Sequence, residues 1–487
     1  MRKHSILSAI LIAAMTLATL TGCDNNQTDI QTDDAVETEE VNLLDTLDFG
    51  DVDFTISMSA SSLSTHQYMI GPEEAEGDVV DIAVFNRNLA VEDKLGINFV
   101  YETTDYTWDK VAPQHRQLIM SGDDTFDLIV DDQIGLGTCA AEGLLVNAYD
   151  CAYFDFTKDG WWYDYMKDAS VDEDEIYLLV GDYFINVLER AFVIYTNMDI
   201  FTEVSGETKE DLYNTVLDRE WTYDKMNEYV STAYDDVNGD TIANQGDRFG
   251  FMVSNKSGSM ISFVYSSDVP FITRDEEGYP TLTMNGERAH QLYDKISTLI
   301  NNSATTFSAV SMDTSGQTTR FMNGEALFVG DSCIADFAKL RDMKYDLGLL
   351  PYPMVDETQE DYNTTVWDVS EVGGIPVTAK DPDMSSAVVQ ALCEVSAETV
   401  TPAYYETQLK LKYTRDDITA QILDVVYNNI RGSFPLIYNN NHANRIFLNT
   451  FVTPLQSGAD GIASTYASLE PAALAALEEL IETYQNR

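Results

Sequence analysis

Positive charge is scarce in this sequence. Only 28 lysines and arginines stand against 82 aspartates and glutamates, a formal net charge of −54. A surface of that sign repels phosphate backbones and anionic headgroups, which excludes nucleic acid and electrostatic attachment to a membrane. It also disfavours a polyanionic ligand. Histidine is rare, and His4, His66, His115, His290 and His442 form no cluster with metal-ligand spacing. There is no H-E-x-x-H, no G-x-S-x-G and no phosphate-binding P-loop, so the common signatures of metalloprotease, esterase and nucleotide-hydrolysing chemistry are missing. Cysteine is sparse, with no C-x-x-C pair. Beyond the N-terminal segment no apolar run approaches the roughly 20 residues that cross a bilayer.

What is present begins with the N-terminus. Arg2 and Lys3 precede an apolar run from Ile6 to Leu20, which ends in Leu20-Thr21-Gly22-Cys23. That order reads as a secretory signal over residues 1–22 leading into a lipobox. The segment resembles those of bacterial lipoproteins, and the resemblance implies that Cys23 carries acyl chains such as palmitate. The expected location is the outer face of the cell membrane, reached through the lipid anchor alone. Residues 23–48 are polar and acidic, with too little apolar surface to bury, and read as a disordered tether. The folded part is expected from about Val52. Cys139, Cys151, Cys333 and Cys393 remain. Secretion permits a disulfide, for which Cys139 and Cys151 are the nearest candidates, but a large domain does not need one, and buried thiols are expected.

About 440 residues are too many for one core and suit two lobes. Val52, Phe54, Ile56 and Met58 alternate as a strand. Ile82, Phe85, Leu89 and Leu95 recur at helical spacing up to Gly96, and Ile97–Tyr101 is the next strand. A helix with Val111, Leu118 and Ile119 ends at Ser121-Gly122, before a strand from Phe126 into Asp131-Asp132. Alternating strands and helices mean a parallel sheet with helical covers. A second α/β region starts at Ala191–Tyr195. It continues through a helix from Gly286 and a strand reaching Asp331-Ser332, and Pro471 is expected to open the last helix. Gly135-Leu136-Gly137-Thr138-Cys139-Ala140 fits a dinucleotide fingerprint formally, but without its companion spacing it reads as a tight loop.

Several short segments, in order, resemble the family 1 extracellular solute-binding proteins, which include maltodextrin-binding proteins. They are Leu95-Gly96-Ile97-Asn98-Phe99, Ser121-Gly122 followed by Phe126-Asp127-Leu128-Ile129, Glu142–Asn147, Ile194-Tyr195-Thr196-Asn197 and Phe321–Ala326. Thr125 stands where that family usually has proline, and Thr196 interrupts its tyrosine–asparagine step. The resemblance implies an α/β fold of two periplasmic-binding-protein-like lobes, with a mixed sheet in each and a cleft between them. Lobe 1 would comprise 49–184 with 346–398, and lobe 2 185–345 with 399–487. Crossings are expected near Asp182–Leu188 and Tyr345–Pro351. It further implies a monomer that captures a small solute, expected to be a mono- or oligosaccharide, for the permease subunits of an ABC importer. The alternative from another class is a secreted carbohydrate-active hydrolase. Carboxylate pairs are too abundant here to support that alternative by themselves.

Ligands in open parallel sheets bind outside the carboxyl ends of strands. That rule singles out the loops Ser59–Thr65, Asp131–Gln133, Asp182–Tyr183 and Asp331–Ser332, and in them Asp131, Asp132, Asp182 and Asp331. Carboxylates suit sugar hydroxyls, each accepting two or more hydrogen bonds, while a flat indole suits the C–H face of the ring. Trp161, Trp162 and Trp367 are the stacking candidates, with Trp108 behind them. Trp221, just before a Thr222 N-cap, reads as packing. Finally, Asp236, Asn238, Asp240, the Ile242 carbonyl, Asn244 and Asp247 fall at positions 1, 3, 5, 7, 9 and 12 of a calcium loop. Thr241 replaces its turn glycine and Asp247 its bidentate glutamate, so an Asx-rich turn competes with one structural calcium ion.

Overall fold

A computed structural model describes residues 42–59, 67–104, 110–244, 246–254, 257–284, 286–302, 305–309, 314–413, 416–438 and 445–487. Cys23, the signal segment, most of the expected tether, Trp108 and the loop at 60–66 lie outside these residues. The strands, in chain order, are β1 (Val52–Ser59), β2 (Ile97–Thr104), β3 (Leu128–Asp132), β4 (Phe192–Asn197), β5 (Phe249–Ser254), β6 (Ile272–Arg274), β7 (Pro280–Leu282), β8 (Thr306–Ala309), β9 (Ala326–Cys333), β10 (Leu347–Leu350) and β11 (Glu371–Gly374).

The first sheet has the order β11-β3-β1-β2, with β1 parallel to both neighbours and β11 antiparallel to β3. The second has the order β10-β4-β9-β5-β8. There β5 runs parallel to β8 and β9, while β4 is antiparallel to β9 and β10. Every residue of β3, β4, β9 and β11 is buried, as expected of strands covered on both faces. Each sheet is therefore the core of its own lobe, and β6–β7 is a separate hairpin.

Packing begins earlier than composition suggests. Leu43–Thr46 forms a 3₁₀ turn with Leu44 buried, so packed structure begins inside the stretch 23–48 expected as tether. The first long helix, Val79–Leu95, starts in an Asp78–Asp81 capping box and stops at Gly96 in the left-handed conformation (φ 64°). Its inward face is Val80, Val84, Arg87, Val91 and Leu95, whereas Ile82 and Leu89 are exposed. The apolar pattern chose the wrong stripe because an arginine occupies the core. The Arg87 guanidinium donates to the carbonyls of Tyr68 and Met69 and lies 4.9 Å from the Tyr183 ring centre.

Two more expectations are corrected. Gly135–Ala140, expected as a tight loop, lies in a helix that spans Gln133–Ala141. Its glycines admit close neighbours: a Cβ on Gly135 would sit 2.7 Å from Val111, and one on Gly137 2.6 Å from Ile437. The last helix, Ala463–Gln485, starts well before Pro471, which lies inside it with Leu474 exposed. All four described cysteines are free and buried.

Three of the segments that join the lobes lie side by side. Residues 184–191 lead into β4, and Glu371 N–H donates to Asn186 Oδ1 at 3.0 Å. Residues 362–370 return beside them: Phe192 N–H donates to Thr365 O and Trp367 N–H to Arg190 O, both at 3.0 Å. Residues 429–431 run parallel to Thr364, with Thr364 N–H donating to Asn429 O at 2.8 Å. The second crossing is thus not at 345–351. That stretch holds β10, paired with β4 inside the second sheet, and Trp221 Nε1 donates to Pro351 O at 2.9 Å. An apolar run such as Leu347–Leu350 looks alike whether it closes a sheet or leaves it.

Candidate functional site

The carboxyl end of β3 delivers two adjacent carboxylates to the junction of the lobes, both about 1% exposed. Asp132 is the N-cap of helix 133–141, its Oδ1 accepting from Gly135 N–H at 2.8 Å. Burial, then the neighbouring Asp131 charge, pushes its pKa up to about 8. Asp131 Oδ1 accepts from Asp132 N–H at 2.9 Å, and its Oδ2 lies 3.8 Å from His115 Nε2. So Asp132 does structural work as a cap, and each residue keeps one oxygen outside these bonds.

Gln133 ties this strand end to the second crossing. Its Nε2 donates to Trp367 O at 2.8 Å, its Oε1 accepts from Tyr165 Oη at 2.8 Å, and its N–H donates to Ser370 O at 2.9 Å. The half-buried turn 367–369 is held at the mouth of β3 in this way. Trp367 stacks on Phe192 with ring centres 5.5 Å apart. Asp368, which sequence reasoning passed over, is close enough to Asp132 to raise its pKa, and burial pushes its own up to about 6. From the second lobe Tyr265 comes near enough to feel the charge of Asp368, and Asp331 lies near the carboxyl end of β9. Asp331 is 5% exposed and held at φ 58°, a strained conformation for a residue with a Cβ. Its N–H donates to Tyr352 Oη at 3.0 Å. The Tyr265 hydroxyl is buried without a hydrogen-bond partner.

The remaining candidates sit apart from this cluster. Trp161 is core: its Nε1 donates to Gln390 Oε1 at 2.9 Å, and Phe154 and Phe156 pack edge-on at 5.5 and 5.0 Å. Trp162 is half-buried and donates to Asp182 Oδ1 at 2.8 Å. Burial pushes Asp182 up to about 6.

A cavity of about 260 Å³ opens between the lobes. Its floor is made by the crossings, through Asn363, Thr365 and Arg431, and its walls include Asp168 of the first lobe and Tyr265 and Phe271 of the second. None of the seven residues picked from sequence as ligand contacts lines it. Asp168 stands at its open rim, yet surrounding protein pushes its pKa up to about 6, against the pull of Arg431. Neither Asp168 nor Tyr265 lies on a strand end, so the strand-end rule could not find them.

The acidic loop at 236–247 is a chain of Asx turns. Asp236 accepts from Gly239 and Thr241 N–H, both at 2.8 Å, and Asp240 accepts from Ile242 N–H at 2.8 Å. Thr241 adopts φ 64°, the left-handed turn for which the calcium pattern uses glycine. Asn244 Nδ2 donates to Asp240 Oδ2 at 2.7 Å and Ile242 O at 2.8 Å, oxygens that a cation would use. Asp247 Oδ2 accepts from Asn244 N–H at 2.9 Å, while its Oδ1 is buried without a hydrogen-bond partner. Among the described residues, no three acidic, histidine or cysteine side chains are grouped to hold a metal.

No protein-family model matches the chain, and no curated protein matches it. Solved structures do. The GacH receptor of Streptomyces glaucescens, determined without ligand and with acarbose, aligns over 88% of this chain and 99% of its own at 11% identity and a TM-score of 0.55. A cyclo/maltodextrin-binding protein complexed with maltotetraose aligns over 88% of this chain and 97% of its own, at 13% identity and a TM-score of 0.56. An ABC substrate-binding protein from Listeria monocytogenes in complex with cycloalternan covers 89% and 99%, at 15% identity and a TM-score of 0.51. At this level of identity the likeness is one of architecture, and the chain has the two-lobe, periplasmic-binding-protein-like α/β fold.

Proposed function

We propose that this chain is a monomeric, lipid-anchored solute-binding protein. It captures a mono- or oligosaccharide outside the cell and hands it, unchanged, to the transmembrane subunits of an ABC importer. The observation that carries the reading is the arrangement at the lobe junction. The crossings hold two α/β sheets together, and carboxylates and a half-buried indole converge where β3 meets the second crossing. The fold's solved relatives named above were determined with acarbose, maltotetraose and cycloalternan.

Within this reading Asp131 and Asp331 accept hydrogen bonds from sugar hydroxyls, Trp367 offers apolar ring surface, and Asp132 holds the strand end in place. Asp182 and Trp162 contribute one side of the first lobe. Hydrogen bonds and one or two stacked rings supply roughly the 8 kcal/mol of a micromolar complex. The test is replacement: Asp131→Ala and Trp367→Ala should each weaken binding of the identified sugar about tenfold or more, with the melting temperature of the free protein nearly kept. Full affinity in both variants would move the site elsewhere.

A further inference from the structure

Arg274 belongs to the second lobe by sequence and to the first by contact. It ends β6, on the hairpin β6–β7, whose base is fixed in the second lobe. There Phe271 packs against Phe447 and Phe451 with ring centres 5.6 and 6.1 Å apart. Just before it, Asp268 pairs with Arg288 at 2.7 Å, and Ser267 O accepts from Asn363 Nδ2 at 2.7 Å. From that base the hairpin reaches across. Arg274 Nη1 donates to Val171 O at 3.0 Å and to Gly278 O of its own hairpin at 2.7 Å. Its Nη2 donates to Ser170 O at 2.8 Å and Lys167 O at 3.2 Å. Its Nε lies 3.6 Å from Glu173. Beyond the hairpin turn, the Tyr279 hydroxyl bonds Asp172.

Lys167, Ser170 and Val171 are the end of helix Tyr163–Asp168 and the residues just past it, and the Lys167 carbonyl also accepts from the Ser170 N–H and hydroxyl. That helix is fixed in the first lobe through Tyr165 and Gln133. A planar fork gathering three carbonyls is a geometry that arginine provides and lysine does not. The same pieces border the interlobe cavity: Asp168 from the helix, and Phe271, Ile272 and Arg274 from the hairpin. The lobes are therefore joined covalently through the crossings and non-covalently through this arm, beside the helix Ala463–Gln485, which packs on Gln133–Ala141 of the first lobe and on Arg445–Ser457 of the second.

We infer that the hairpin 272–282 is an interlobe clasp and that Arg274 is the positioning residue that sets the separation of the lobes. The inference rests on the two-lobe reading and extends it to the control of lobe motion. A swing about the crossings that parts Asp168 from Tyr265 must break the guanidinium's bonds or drag the helix end along. The clasp thus weights the conformational equilibrium toward the arrangement seen here, and through it the affinity for any solute that prefers one arrangement.

The test uses the full chain without solute, labelled at Met120→Cys in the first lobe and Asn214→Cys in the second, both exposed. Electron–electron resonance then reads the interlobe distance in a Cys23→Ser background, the four described cysteines being buried. The parent protein should give one narrow distribution. Arg274→Ala should broaden it and shift the population ratio about tenfold or more, the scale of losing several hydrogen bonds to a charged donor. Arg274→Lys should fall between, and Glu173→Gln should change little. Arg274→Gln keeps much of the stem and guards against a misfolded alanine variant. A narrow, unshifted distribution in Arg274→Ala, or in both Lys and Gln variants if alanine does not fold, would overturn the clasp. No solute enters the measurement, so its failure and the failure of the sugar reading are separate results.

Discussion

The indole N–H of Trp162 and the carboxylate of Asp182 satisfy each other, with Nε1 donating to Oδ1 at 2.8 Å, and the Trp162 ring meets the edge of Tyr427 at 5.9 Å. Two residues that sequence reasoning offered separately to a ligand are thus one unit of the first lobe. The pairing also has a pH consequence. Asp182 ionises near 6 in the folded chain and Asp132 near 8, against about 3.9 for an unperturbed aspartate.

The folded state therefore holds more protons than the unfolded one from about pH 4 up to each folded value. For groups with raised acid pKa values, stability is greatest at the acid end of that window and falls as pH rises through it. Above about 8 the loss from Asp132 is complete. Asp132→Asn keeps an N-cap oxygen and should flatten this slope, raising the melting temperature at pH 8 by something on the order of 2 °C while leaving pH 4 nearly unchanged. Parallel slopes in the two proteins, measured by calorimetry across pH 4–9, would contradict the assignment.

Helix 133–141 meets Ile437 at Gly137 without room for a side chain. Alanine is the better helix former by about 1 kcal/mol, but its Cβ would sit 2.6 Å from Ile437 Cγ2 and 3.1 Å from the Ile437 carbonyl oxygen. Gly137→Ala should therefore lose about 1–3 kcal/mol, read as a lower urea midpoint at constant m-value. A gain in stability would mean that Ile437 and its segment yield freely.

For the acidic loop we propose one structural calcium ion, held by Asp236, Asn238, Asp240, the Ile242 carbonyl, Asn244 and Asp247. The support is the oxygen spacing, the left-handed Thr241 and the buried Asp247 Oδ1 without a hydrogen-bond partner. Binding requires the Asn244 amide to turn its oxygen inward, away from the bonds its Nδ2 now makes. With calcium at a hundred times its dissociation constant the folded state gains about 2.7 kcal/mol. A chelator should therefore lower the melting temperature of the parent and leave Asp240→Ala unmoved. A parent indifferent to chelation and free of metal by elemental analysis would leave the loop as Asx turns alone.

The anchor is tested through Cys23. In the parent, the protein should fractionate with membranes and stay there after a high-salt wash, since acyl burial and not charge would hold it. Cys23→Ser should appear in the medium or retain its signal segment. Membrane retention with normal processing in that variant would remove the lipid anchor from the account.

Much of the architecture is readable from periodicity. β1, β2, β3 and the helices at 111–120 and 287–300 follow from alternation, spacing and end signals. What is not readable depends on contacts between distant residues. Arg87 looks like a solvated position on its helix, yet it is completed by carbonyls of the preceding segment. Gly135 and Gly137 look like a loop because the neighbours that require small residues, Val111 and Ile437, are remote in sequence. The same holds at the site. Asp131, Asp132 and Asp331 could be found because strand ends are visible, and Trp367 because indoles near surfaces are few. Asp368 and Tyr265 could not, since neither lies at a strand end and their approach follows from the path of the second crossing. That crossing lies at 362–370 and carries no pattern of its own.

The central claim is that this chain binds a sugar and returns it unaltered, and one measurement addresses it directly. Purified protein is titrated calorimetrically with acarbose, maltotetraose and cycloalternan, and the solute is then released and identified by mass. The account predicts one sugar per chain with a dissociation constant near micromolar, about 8 kcal/mol, and quantitative recovery of the same molecule after prolonged incubation. Release of a cleaved or modified product in excess over protein would make the chain an enzyme and contradict the account.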